Sequence, residues 1–495
     1  MTHAATAQEV APRRVPDPTL EFTLKLVATA APVALVLLLA HSKTLTGAVA
    51  VVVTLVIAST FPGVNSVRLL GVGLVLTPDA VIVAHFGSSP ISLRDVALIG
   101  FYAILMLAVV RGQLRMNVPM PWLMTFLLVA AVAGAVQNHR PRSLLEFALV
   151  ILLPPVAGAA LATDRGVVMD FLRGVTSGTI LLICAAYIEA LTNHNFLISS
   201  TALGAFARTG HIRANAGWDY PTMLSAFLCL GGFFVVESLQ RRWGMFGVVV
   251  GGALVTAGVI TTQSRSGLAG LAAGALVYLL LQRRASQGLS VVIGLVAAGG
   301  VLMALPGAAP KAFRGYVAQS LTPGSAANAN VHYRQQLYQD FWPAMQQHPL
   351  FGFGYGSGKS VATNRLHVYF GDLTDLASLP VSLGVELGYV GAGAVLLMLL
   401  VTVVKVARIR DLPWRLGIAA GLVASIVAML GVPASPPLTW MLLVVGLGWG
   451  LAHHHQRETE AAKTTSAKEQ PAEPQPLKPW HHSTDGPGVG GVRNG

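Results

Sequence analysis

The chain has 495 residues, of which 54% are hydrophobic and only 11% charged; soluble globular proteins carry about a quarter charged residues, so that class is excluded. A mean hydropathy of +0.63 marks a polytopic membrane protein. The net charge of +12 therefore bears on which membrane face each loop occupies, and nucleic acid is not an expected partner. Two cysteines, Cys184 and Cys229, both sit inside apolar runs, so neither a disulfide framework nor a cysteine metal site is indicated.

Residues 1–21 form a polar lead with Arg13 and Arg14, without the order of regions that defines a cleavable signal peptide. Apolar runs of roughly spanning length follow near 24–41, 45–61, 68–85, 91–110, 119–136, 143–161, 167–190, 220–237, 244–261, 267–282, 288–305, 379–403, 415–431 and 437–452. The expected fold is all-α: about 12–14 transmembrane helices with one long extracytoplasmic loop containing short helices. Helices occupy 22–305 and 379–452, and the loop is 306–378. From 453 to 495 the chain is polar, rich in Pro, Lys, Glu and Gly, and without apolar periodicity, which predicts a disordered cytoplasmic tail.

With a cytoplasmic N-terminus, alternate turns place Arg68, Arg111, Arg115, Arg165, Arg241, Arg242, Arg283, Arg284, Lys405, Arg408 and Arg410 inside, as the positive-inside bias requires. Both termini are then cytoplasmic and the insertion 306–378 is outside. The same assignment leaves Arg140, Arg142, Arg208, Arg213, Arg265 and Arg334 on the outer side, where short loops are usually poor in cations. Arg265 lies in a very short turn, Thr262-Gln263-Ser264-Arg265-Ser266-Gly267, so its charge sits at or just inside the outer interface. An arginine there either snorkels to headgroups or serves a polar site. Asp79, Glu146 and Glu189, near span ends, read first as counter-ions for neighbouring arginines rather than as proton relays.

The insertion 306–378 is the longest polar stretch between apolar runs. At about 100° per residue, Arg334, Tyr338, Phe341 and Met345 share one helix face, the pattern of a helix laid on an apolar body. Gly352 to Ser360 imitates a phosphate-binding loop, but Phe353 stands where that pattern needs glycine, and the stretch lies outside. Its glycines are expected instead to let the chain turn sharply after His348-Pro349 and lie close to the membrane body. No metal-ligand spacing is present, so neither metal nor other cofactor is expected.

Three pieces occur in order: Arg213-Ala214-Asn215-Ala216-Gly217-Trp218-Asp219-Tyr220-Pro221 running into a span; the Ser264-Arg265-Ser266-Gly267 turn; and Arg334 to Gly356, closing on Glu386-Leu387-Gly388. In this order, over roughly residues 60–430, the sequence resembles the O-antigen ligase and polymerase superfamily of bacterial envelope glycosyltransferases. The resemblance implies an enzyme of the bacterial cytoplasmic membrane. It would take a glycan from a polyprenyl-diphosphate carrier on the outer side and join it to a saccharide or glycolipid acceptor, without a metal. By motif, Arg213, Arg265 and Arg334 would hold the diphosphate, with Arg140, Arg208 and Glu386 in support. Arginine suits that role, because its rigid fork of donors stays charged.

In the superfamily a histidine stands nine residues before the Glu of the closing segment; here that count reaches Ala377, beside Ser378. Either the base has moved, to His367 first, Asp375 second, or the nearby Asp372, or this member uses none and arginine stabilisation of the leaving group suffices, or it is not a ligase in the strict sense. Ligase and polymerase both stay open. The competing reading is a transporter or flippase of lipid-linked glycan, with the outer arginines as a headgroup site; it fits less well with a long outer loop and with halves that show no convincing internal repeat.

Overall fold

The structure, a computed structural model, describes residues 64–79, 81–86, 89–137, 142–195, 207–208, 211–282, 322, 338–358, 360–361, 378–432 and 437–469. The expected spans at 24–41, 45–61 and 288–305 lie outside the described residues. The remainder is an integral membrane body of apolar helices. Each Leu-, Val- and Ala-rich run closes its own backbone hydrogen bonds, as a chain in lipid must.

In chain order these are α1 (Val64–Leu76), α2 (Leu93–Val110), α3 (Pro121–Gln137), α4 (Arg142–Phe147), α5 (Leu153–Leu161), α6 (Arg165–Thr192), α7 (Pro221–Thr261), α8 (Arg265–Leu281), α9 (338–347), α10 (Leu379–Arg408), α11 (Arg415–Met429) and α12 (Pro437–Glu469). Among the described residues, five stretches are long and apolar enough to cross a membrane: Leu93–Val110, Ser143–Leu161, Arg165–Thr192, Pro221–Thr261 and Leu379–Arg408. The run at 143–161 is continuous although its middle, Ala148–Leu152, is π-helical. Pro154 and Pro155 follow that turn, and their missing N–H groups are what a regular ladder could not have absorbed.

Three expectations change. The run 68–85 is not one span: α1 stops at Leu76, before Thr77-Pro78, and strand β1 (Ile82–Phe86) then pairs antiparallel with β2 (Ser89–Ser92). Proline sets that stop and β-branched residues favour the strand. A second small hairpin joins β3 (Ala207–Arg208) to β4 (His211–Ile212). The compact membrane unit ends at Ala452, where the boundary was expected, but the chain beyond it is helical: α12 continues through Glu469, and its Arg457-to-Lys463 stretch is made of helix formers that an apolar-period reading overlooks.

The two runs at 220–237 and 244–261 are the arms of α7, reversing at Gly244, whose φ of 59° and ψ of −133° lie outside the helical region. Gly251 meets Val236, Gly232 meets Val255 and Gly258 meets Leu228, so the arms run antiparallel. Small residues also let helices approach elsewhere: a Cβ on Gly71 of α1 would come within 2.7 Å of the Phe171 carbonyl oxygen of α6.

Polar side chains tie one end of the bundle. Asp170 accepts from Arg68 at 2.6 Å and from Arg173 at 3.1 Å. Glu237 pairs with Arg241 and accepts from Gly417 N, both at 2.5 Å, while Arg415 Nη2 donates to Leu281 O at 3.1 Å. Following helix directions from this end, the described segments 77–79, 193–195, 211–220, 262–264 and 348–358 fall at the opposite end.

Candidate functional site

The opposite end is assembled from two pieces. In the first, α6 ends in a left-handed residue, Asn193, and its last turn carries Glu189, which is fully buried. Glu189 Oε2 accepts from the main-chain nitrogens of Asn215 and Ala216 at 2.9 and 2.8 Å, and from Asn195 Nδ2 at 3.3 Å. Asn195 Nδ2 also reaches Arg213 O and Asn215 Oδ1. The segment from Ile212 to Tyr220, which has no regular secondary structure after β4, is thus held by a buried carboxylate and amides that satisfy its backbone.

That anchoring aims Arg213 at the turn between α7 and α8. Arg213, 6% exposed, donates from Nε to Thr262 O at 3.0 Å, and Ala214 N donates to Thr261 O at 3.0 Å. Two residues beyond Gln263, whose φ is 51°, Arg265 opens α8 behind the N-cap Ser264, whose hydroxyl accepts from Gly267 N. The structure therefore brings Arg213 to the turn that precedes Arg265.

The second piece is the loop after α9, docked where α10 breaks. α9 buries Phe341 and Met345 against Val361, Val381 and Val385, so the expected apolar stripe is the docked face. Its first described residue, Tyr338, shares a hydrogen bond with Ser378, Oη to Oγ 2.6 Å, at the start of α10. Gly388 interrupts α10 with φ 64° and ψ −172°. The backbone groups freed by the break are taken up by the loop: Tyr389 N donates to Pro349 O at 2.7 Å, Val390 N to Leu350 O at 3.2 Å, and Phe353 N to Val385 O at 2.8 Å.

Gly352, Gly354 and Gly356 all have positive φ. A Cβ on Gly352 would lie 2.6 Å from Gly388 N and Val385 O, and Gly354 passes against Gly134 of α3. The glycine run is a close-approach element, as the sequence suggests, and not a phosphate loop. Beyond it, Gly358 N donates to Glu386 Oε1 at 3.3 Å, and Gly356 lies beside Glu146 Oε2 of α4.

Of the candidate residues, Arg213, Arg265 and Glu386 are described with their side chains, and Arg208 only as part of β3. Arg140, Arg334, His367 and Asp375 lie outside the described residues. Asp79 has the counter-ion role expected of it, 3.6 Å from Arg94. Sequence reading passed over Arg94, a residue 2% exposed whose guanidinium stacks 3.8 Å over the Trp218 ring; its place two residues after Ser92, at the start of a span, was the available signal. Two interior voids are lined by apolar side chains, one by Phe171, Val175, Phe227 and Trp440 among others, the other mainly by α7. Neither offers the cationic surface that a diphosphate needs.

No curated protein matches the chain. Residues 250–396, from the second arm of α7 through the broken part of α10, match the family model described as O-antigen ligase. The match ties the chain, in general terms, to glycan transfer in cell-envelope polysaccharide synthesis. Over residues 250–396 this integral membrane protein is thus similar to the O-antigen ligase family.

Proposed function

We propose that the protein is a membrane glycosyltransferase that moves a glycan from a polyprenyl-diphosphate carrier to a saccharide or glycolipid acceptor at the outer face of the bacterial cytoplasmic membrane. One observation carries the reading: the O-antigen ligase match contains the Arg265 turn, the glycine loop and Glu386 together, and Arg213 is hydrogen-bonded to that same turn.

In the reaction, the bond between the anomeric carbon and the diphosphate oxygen breaks, and the acceptor hydroxyl forms the new glycosidic bond. Arg213 and Arg265, with Arg334 from the loop, offset the charge growing on the departing diphosphate. Such cations lower the need for a general acid and do the work otherwise given to a divalent metal. The hydroxyl proton passes to a base, for which His367 has the best-matched intrinsic pKa and Asp375 is the second choice. The docked loop and Glu386 hold the acceptor side of the site against α10.

The test is transfer by purified protein in nanodiscs from a polyprenyl-diphosphate-linked oligosaccharide. Activity that survives a chelator and is lost in Arg213→Ala and Arg265→Ala is expected. If deletion cells instead stack lipid-linked glycan on the inner leaflet, the protein is a flippase and the reading is wrong.

A further inference from the structure

The stacking of Arg94 on Trp218 plays no part in the chemistry above. Arg94 lies in the first turn of α2, fixed there by a capping box in which Ser92 N donates to Asp95 Oδ2 at 2.8 Å and Asp95 N to Ser92 Oγ at 3.2 Å. None of its three side-chain nitrogens has a hydrogen-bond acceptor among the described residues. A buried guanidinium without hydrogen bonds is costly unless other groups offset its desolvation. Here they are the ring face at 3.8 Å and the Asp79 carboxylate at 3.6 Å.

Both groups are tied to the segment that carries Arg213. Trp218, 1% exposed, belongs to it and packs on Phe227 of α7 with centroids 5.0 Å apart. Asp79 donates its main-chain N–H to Gly217 O at 2.8 Å. The far side of the same segment is held by Glu189, so Arg94 supplies the second of two grips, from a different helix.

We propose that Arg94 is a positioning residue: stacked on Trp218 and paired with Asp79, it holds the 213–221 segment in the register that delivers Arg213 to the α7–α8 turn, and thereby sets affinity for the anionic donor. The proposal rests on the diphosphate reading above. Lysine at this position keeps a charge near Asp79 but lacks the planar face that covers the indole.

The experiment uses the full-length protein in nanodiscs with farnesyl diphosphate as the probe, and reads its binding together with amide hydrogen exchange across 213–221. Arg94→Lys should weaken binding about tenfold and speed exchange at Asn215 to Trp218. In the wild-type background Trp218→Phe should weaken binding less than Trp218→Leu; in the Arg94→Lys background that difference should vanish, because both changes break one contact. Unchanged exchange in Arg94→Lys overturns the proposal. So does faster exchange with unchanged affinity where Arg213→Ala does weaken binding, since Arg94 is then a packing residue only. If wild type and Arg213→Ala bind the probe equally, the diphosphate reading itself falls, while the exchange comparison still decides whether Arg94 grips the segment.

Discussion

Arg265 is the first residue of α8, the end at which a helix carries partial positive charge. A cation there does nothing for the helix. Together, a helix N-terminus and a guanidinium suit an anion better than either alone, and Arg213 donates to the turn that precedes them. Arg265→Lys keeps the charge and loses the bidentate fork, so transfer should fall on the order of tenfold or more at unchanged membrane insertion. Near-wild-type transfer from a lipid-linked donor by the lysine variant would remove the diphosphate role. The arginines stood out in sequence because the positive-inside expectation leaves them on the side where short loops are usually poor in cations. The part played by Glu189 was not: two of its partners are main-chain nitrogens of Asn215 and Ala216, and residue identity says nothing about which backbone will arrive beside a carboxylate. Arg94 was hidden for a related reason, since its partner ring is brought to it by the tertiary fold.

At the scale of elements, the break in α10 explains why a long loop belongs to this fold. A membrane helix interrupted at Gly388 exposes main-chain groups that lipid cannot satisfy, and the 349–353 backbone satisfies them. The loop and the broken helix are therefore one unit, and Gly352 sits where they touch. Gly352→Ala places a Cβ 2.6 Å from Gly388 N at a φ of 66°, a strain of about 1–3 kcal/mol before any clash. The loop should undock: limited proteolysis between 338 and 361 should accelerate and transfer should drop severalfold. Gly393→Ala, where an added Cβ meets nothing within 4 Å, is the control that should change neither. Protection of the loop equal to wild type in Gly352→Ala would mean that the docking does not depend on this contact. The helices themselves were read from apolar run length, and the α9 stripe from its 3.6-residue period. The paired strands at 82–86 and 89–92 were not, because strands of five and four residues vanish inside a window wide enough to find a span. The continuation of α12 past 452 was missed for the opposite reason, since helix propensity without an apolar face leaves no periodic signal.

At the scale of the whole molecule, the question is which end of the bundle faces the cell exterior. Connectivity puts the α7 reversal at one end, with Arg241, Glu237 and Gly417, and puts the Arg213 and Arg265 junction and the docked loop at the other. Between the ends the helices present apolar side chains outward, such as Trp122, Phe126 and Val129 of α3, as a lipid-facing body should. The positive-inside bias assigns the first end to the cytoplasm, because Arg241, Arg242, Lys405, Arg408 and Arg410 cluster there. The transfer proposed above needs the second end to be outside, which is the orientation the positive-inside bias expects. Single-cysteine variants test it in intact cells. With Cys184→Ser and Cys229→Ser as background, Trp342→Cys replaces a side chain 52% exposed on α9, and Arg242→Cys replaces an exposed residue beside the Gly244 reversal. A membrane-impermeant maleimide should label Trp342→Cys directly and Arg242→Cys only after permeabilisation. The reverse pattern would place the arginine junction in the cytoplasm, where no acceptor of the outer surface can reach it, and would remove the outer-face transferase along with the orientation.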